Sequence, residues 1–491
     1  MGFYIYDIIF LVIFTLLVVL FLHKNKKNLQ RDMKIAFLYK SQWGVKLINI
    51  IGSKYKRTLN VLQYFVIATG YILMISVVYL IGKSTIFYVF HAKEITSIIK
   101  APPIAPVIPY FPELFGLKSF FPPFYFTYFI VSLMIVAVFH EFSHGVFMKF
   151  HKVRIKSTGF LFLGPLLGAF VEQDERDMQK ATKKAQLSIL GAGVFANIVL
   201  AIIFYLLWIG VFYMTFIPVG MTFNSYTTGV IKISSIDQIG GINVSNITNQ
   251  DLIDLIKEDE FAIDLVLVVD DKETEFSRVI VNEESYYMSP EIVAKNLHNN
   301  SEYLELYFDF PAINAGLKGT IIEVNGEEIK DYEDLVNMLD NKKPGDELSI
   351  KTNYNGELIE KEIILVGSPL DPNKGIIGIS NGINIEQNMA EVFAGLFKKP
   401  FTEYKIRNEF LGFIYYMIFW IFLINLLVGL FNMLPVSILD GGRFFYLTVW
   451  AITKNEKLAK NVYKWLGIII LSSLILIMIA WVFGSYLNKF T

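Results

Sequence analysis

Apolar and charged positions along this chain fall into long blocks rather than a fine alternation. Apolar runs extend over Tyr4 to Leu22, Thr58 to Gly82, Ser119 to Val138, Ala185 to Phe216, Phe410 up to Asp440, and Trp465 to Asn488. A helix needs about 20 such residues to cross a hydrocarbon layer of roughly 30 Å, and each run is close to or beyond that length. The pattern predicts a polytopic α-helical membrane protein with about six transmembrane helices. Tyr4 to Leu22 has neither a basic leader nor a small-residue cleavage site, so it reads as a retained anchor.

One apolar block is too short for that role. Thr158 to Val171 carries Gly159, Gly164, Pro165 and Gly168 among Phe and Leu, a composition that disfavours a helix and predicts a β-hairpin. Two placements stay open for it: entry into the membrane, where non-helical backbone must be covered or line a cavity, or rest among the headgroups.

From 217 to 409 the pattern changes to alternating apolar residues, more charge, and Asn-Gly and Pro-Gly turns, which predicts an inserted α/β domain. Gly240-Gly241 and Asn325-Gly326, 85 residues apart, sit in segments that resemble one another and continue into Leu265 to Val269 and Leu348 to Lys351. The expected organisation is 1–118, two N-terminal helices with a basic loop and a Pro-rich loop; 119–216, a first core half; 217–385, the insertion, with related units about 225–285 and 300–385; 386–409, an amphipathic connector; and 410–491, a second core half.

Composition and charge add constraints. Hydrophobic residues make up 54% and charged ones 18%, and the mean hydropathy of +0.47 suits an integral membrane protein. A formal net charge of -1 points to no nucleic-acid partner. Residues 23–58 hold ten Lys/Arg against Asp32 alone, and 145–184 and 440–464 are basic as well. These loops alternate with the spans so as to share the cytoplasmic side, leaving both termini and the insertion extracytoplasmic. Cysteine is absent, so His, Asp and Glu must hold any metal.

The candidate chemistry is at the end of the third run, in His140-Glu141-Phe142-Ser143-His144. On a helix the two histidines are one turn apart and can reach one Zn²⁺ ion, with Glu141 beside them as general base. The chain has only six histidines, and ionisable groups in an apolar span mark function by default. Asn197 in the fourth run reads either as interhelical glue or as a group that holds substrate backbone. Pro435, Gly441 and Gly442 would unwind the fifth helix so that Asp440 turns inward; the alternative is a helix end emerging into solvent.

Together these motifs resemble the site-2 protease family of intramembrane zinc metalloproteases. His140 to His144 is similar to its first motif, Gly193 to Asn197 to its G-x-x-x-N element, Asn432 to Gly441 to its N-x-x-P-x-x-x-L-D-G element, and Gly164 to Ala169 to its membrane-entering hairpin. Pro311 to Gly326 resembles the core of a PDZ domain. The resemblance covers roughly 119 to 487 and implies a protease that cuts single-span membrane proteins within the lipid bilayer. It implies zinc held by His140, His144 and Asp440, with Glu141 as base and then acid. Asn432 and Asn197 would steady substrate or oxyanion, a substrate strand would pair with Gly164, Gly168, Ala169 and Phe170, and the PDZ-like region would bind a peptide C-terminus. Two other classes remain to be distinguished: a membrane-anchored zincin acting on soluble or lipidated chains, and a metal-binding receptor or transporter without catalysis.

Overall fold

A computed structural model of the chain describes residues 3–26, 29–32, 36–98, 102–104, 108–110, 121–163, 166–244, 246–258, 262–269, 272–296, 302–381 and 389–488. The chain divides into two compact units, one made of Met1–Thr215, Glu386–Phe393 and Arg407–Thr491, the other of Phe216–Ile385 and Ala394–Ile406.

Among its described residues the first unit contains six helices long and apolar enough to cross a membrane: Tyr4–Lys24, Lys56–Phe90, Phe126–Phe150, Lys183–Thr215, Glu409–Phe431 and Glu456–Leu487. The chain is thus built as a multi-pass membrane protein. The third helix starts at Phe126 rather than near Ser119, because Pro122 and Pro123 lack N–H groups and push the residues before them out of the helical region. The fifth ends at Phe431, and a new helix, Asp440–Thr453, begins at the aspartate. Third, fourth and fifth spans pack on one another, and the second lies along the fourth. At Gly191 a Cβ would stand 3.1 Å from Val66 Cγ1, so a small residue sets this close approach.

The basic segment after the first span is more structured than its charge suggested. Strands Leu29–Asp32 and Ala36–Ser41 form a hairpin, and Ala36–Ser41 pairs with Ile155–Leu163, which in turn pairs with Leu166–Gln173. The predicted hairpin is therefore half of a four-stranded antiparallel sheet. Its tip, including Gly164, lies outside the described residues. A helix, Trp43–Lys54, follows and buries Ile48 against Gly145, the residue after His144.

Besides two short two-stranded pairings, the described residues of the second unit form two larger antiparallel sheets. One has the order Glu357–Ile364, Glu347–Tyr354, Thr320–Val324, Phe216–Met221 and Thr402–Ile406; the other runs from Thr228–Lys232 through Tyr303–Phe308, Glu284–Met288 and Lys272–Val281 to Ile236–Ile239. The 85-residue likeness has a structural counterpart. Gly240 and Gly241 have φ of 51° and 84°, Asn325 and Gly326 have 51° and 82°, and each pair links two short strands ahead of a helix. A two-residue hairpin with both φ positive excludes most side chains, which is why Asn and Gly recur there. Alternate residues Leu348, Ile350 and Thr352 point into a core that also takes Ile321, Val324 and Leu335.

Candidate metal centre

The third span carries no charged residue before His140, so its helix is stable in lipid, and the two histidines project from one face, both buried. Their Nε2 atoms are 3.0 Å apart. Oδ2 of Asp440 lies 3.1 Å from Nε2 of His140 and 3.3 Å from Nε2 of His144.

Asp440 arrives there through a tight reversal. After Phe431 the chain turns, the Asn432 carbonyl accepts the Gly441 N–H at 2.8 Å, and the new helix starts with Asp440. A Cβ on Gly441 would collide with the Met433 backbone, and one on Gly442 with the carbonyl of Val436. The Asn432 to Gly442 stretch is thus a local backbone device, and Asn432 contributes to it through its main chain.

The fourth span covers the imidazoles. A Cβ on Gly193 would stand 2.5 Å from Nε2 of His144 and 2.6 Å from Nε2 of His140, so only glycine lets the helix pass this close. One turn earlier, the carbonyl of Ile189 is 2.6 Å from Nδ1 of His144. Nδ1–H donates to it, which leaves the Nε2 lone pair facing Asp440 and His140. One turn later, Asn197 is fully buried behind His140, 3.1 Å from its Nδ1.

Glu141 faces the hairpin, where its Oε2 accepts the Val171 N–H at 3.1 Å. The Val171 amide therefore points away from the partner strand, and strand alternation turns the backbone groups of Ala169 and Leu167 the same way. Gly168 and Phe170 turn toward their partners Leu161 and Gly159.

These residues suit zinc. Two imidazole nitrogens and a carboxylate oxygen are donors it takes, and a tetrahedral centre with bonds of about 2.0–2.1 Å separates its ligand atoms by about 3.3 Å, close to the spacing here. His140, Glu141 and His144 also bring donor atoms within 4.8 Å of one another. The structure gathers His140, His144, Asp440, Glu141 and Asn197 at one point. In the sequence Gly193 stands out only as the first residue of the G-x-x-x-N element, and Ile189 and Val171 act through backbone atoms that leave no side-chain signal.

Comparison with known proteins agrees with the site. Residues 72 long at 40% identity match an uncharacterized protein, MJ0971, of Methanocaldococcus jannaschii, covering 14% of this chain and 20% of that one. The zinc metalloprotease RasP of Shouchella clausii is 26% identical over 167 residues, 28% of this chain and 40% of that one. The chain thus spans less than half the length of either relative. The model of peptidase family M50 matches residues 128–477, from the third span through most of the sixth and so across every residue of the metal centre, and the chain belongs to that family, the family of the site-2 proteases.

Proposed function

We propose that this protein is an intramembrane zinc metalloprotease that hydrolyses peptide bonds within the transmembrane segments of single-span membrane proteins. The observation that carries the reading is the triangle of His140, His144 and Asp440 beside a second carboxylate, Glu141, whose Oε2 accepts the Val171 N–H instead of joining the Asp440 contacts. A site meant only to store or sense metal has no use for that fourth group.

Zinc would supply Lewis-acid polarisation of the scissile carbonyl and ease the ionisation of water. His140, His144 and Asp440 hold it. Glu141 takes the proton of the attacking water and returns it to the departing amine. The Asn432 amide supports the developing oxyanion. The substrate, unwound locally because helical carbonyls are already paired, adds as a strand along Leu166–Gln173, where Leu167 and Ala169 offer outward backbone groups. The opposite edge of the hairpin is taken by Ala36–Ser41, which leaves this one for substrate. By this reading the hairpin enters the membrane, the termini and the insertion are extracytoplasmic, and the PDZ-like region around Pro311 to Gly326 binds a peptide C-terminus or screens out bulky substrates.

The test is cleavage of a model single-span substrate by purified protein in bilayers, with zinc content measured in parallel. Wild type should cut within the hydrophobic segment, and Glu141→Gln should keep its zinc while losing about 10²–10⁴-fold in rate. Cleavage by Glu141→Gln at the wild-type rate, or cuts only outside the segment, would sink the proposal.

A further inference from the structure

The G-x-x-x-N stretch of the fourth span works on His140 from two sides. Gly193 clears space over the ring nitrogens, and Asn197, one turn on and on the same helix face, meets the ring from behind. Asn197 is 0% exposed, its Nδ2 is 3.1 Å from Nδ1 of His140, and its Oδ1 is buried with no hydrogen-bond partner. It is therefore out of reach of a substrate lying at the zinc ligands, whichever way its amide is turned.

The two orientations of that amide impose opposite chemistry on the ring. With Nδ2 toward His140, Nδ1 must accept, the ring proton sits on Nε2, and Nε2–H donates to Asp440, 3.1 Å away. That arrangement joins ligand to ligand and offers no lone pair to a metal. With the amide turned over in the same volume, Oδ1 gains a partner by accepting Nδ1–H, and Nε2 presents its lone pair beside that of His144. His144 is fixed in the matching tautomer by the Ile189 carbonyl.

We propose that Asn197 is a positioning residue for His140: its side-chain oxygen accepts the Nδ1 proton in the metal-loaded protein and thereby sets the ring in its metal-binding tautomer. The inference rests on the zinc reading of the site. It gives Asn197 a role in metal affinity and none in contacting substrate.

The experiment measures Zn²⁺ affinity of full-length, metal-stripped protein in detergent by chelator competition, with Co²⁺ absorption as a second probe of the ligand field. The variants are Asn197→Leu, Asn197→Asp and His144→Ala. Asn197→Leu, similar in volume and unable to accept, should bind Zn²⁺ about 10–100-fold more weakly, as loss of an outer partner to a metal-bound histidine does. Asn197→Asp, which only accepts, should bind within about threefold of wild type and keep the Co²⁺ spectrum. Wild-type affinity in Asn197→Leu, the result a substrate-holding or packing role gives, overturns the inference, and so does a loss in Asn197→Asp as large as that in Asn197→Leu. A loss of about tenfold or more in Asn197→Asp overturns the inference by itself, so the proposal stays falsifiable if the leucine variant fails to fold. A wild type that binds no Zn²⁺, or a His144→Ala variant that binds it undiminished, overturns the zinc reading itself and this inference with it. Failure confined to the Asn197 variants leaves the zinc reading standing.

Discussion

The backbone N–H of Val171 lies 3.1 Å from Oε2 of Glu141, so the strand proposed to receive a substrate also holds the proposed general base. A Val171→Pro change removes that donor alone, because the amide points out of the ladder and an edge strand tolerates proline there. A hydrogen bond to a charged group contributes about 1.5–3 kcal/mol, so the rate of cleavage should fall about 10–100-fold with zinc content unchanged. Steady-state kinetics beside metal analysis checks this. Zinc loss in parallel with activity would mean that the strand supports the whole centre and not the base.

Gly193 offers a test with opposed signs. Alanine favours a helix over glycine by about 1 kcal/mol, yet its Cβ would stand 2.5 Å from Nε2 of His144. Gly193→Ala should change the stability of the metal-free protein by no more than about 1 kcal/mol, because the helix gain offsets the displacement of the two rings, and should cost about 10–100-fold in zinc affinity because both ring nitrogens must shift. Thermal melting of the stripped protein and zinc titration separate the two effects.

Asp7 of the first span reaches the start of the helix that carries His140 and His144. Its carboxyl accepts from the Thr127 N–H at 2.7 Å, the Thr127 hydroxyl at 2.7 Å and the Tyr110 hydroxyl at 2.5 Å. Tyr125, at the cap position, makes no capping hydrogen bond with its side chain, and a residue from another helix does the capping. Asp7→Asn should lower stability by about 1–3 kcal/mol, as expected when buried donors lose an acceptor. Zinc affinity should hold, since His140 is more than three turns further along the helix. A melting curve indistinguishable from wild type would refute the capping role.

Asp174 accepts from the side chain of Arg154 and caps the helix Glu175–Lys180 through the Arg176 and Asp177 N–H groups. The Arg154 bond, then those amides, hold its carboxyl down to about 2. A group whose folded value is lowered stabilises the fold above its unfolded value, about 3.9, and that contribution is lost as pH falls through the folded one. The gap in melting midpoint between wild type and Asp174→Asn should therefore be constant from pH 8 to 5 and narrow below about pH 4. A gap that widens on acidification would contradict this.

Much of the site was readable because its side chains sit at short, fixed spacings. His140 and His144 share a helix face by periodicity, and Glu141 follows from the same motif. Asp440 was suggested by Pro435, Gly441 and Gly442, whose shapes break a helix wherever they occur. Asn197 was legible as a polar residue in lipid but not as a partner of one ring nitrogen, since contact between separate spans has no local signature. Asp7 went unread among apolar neighbours for the same reason, as did the pairing of Ala36–Ser41 with the hairpin across more than a hundred residues of chain.

The apolar stretches, the Gly and Asn turns and the candidate metal donors were all legible along the chain, because length, apolarity and the conformational limits of Gly, Pro and Asn act over a few residues. Tertiary structure alone decided which nitrogen of each histidine faces the centre, that a missing Cβ at Gly193 opens space for it, and that a backbone amide of the hairpin steadies Glu141. Those outcomes depend on separations of about 3 Å between segments far apart in the chain, and only the packed fold sets such distances.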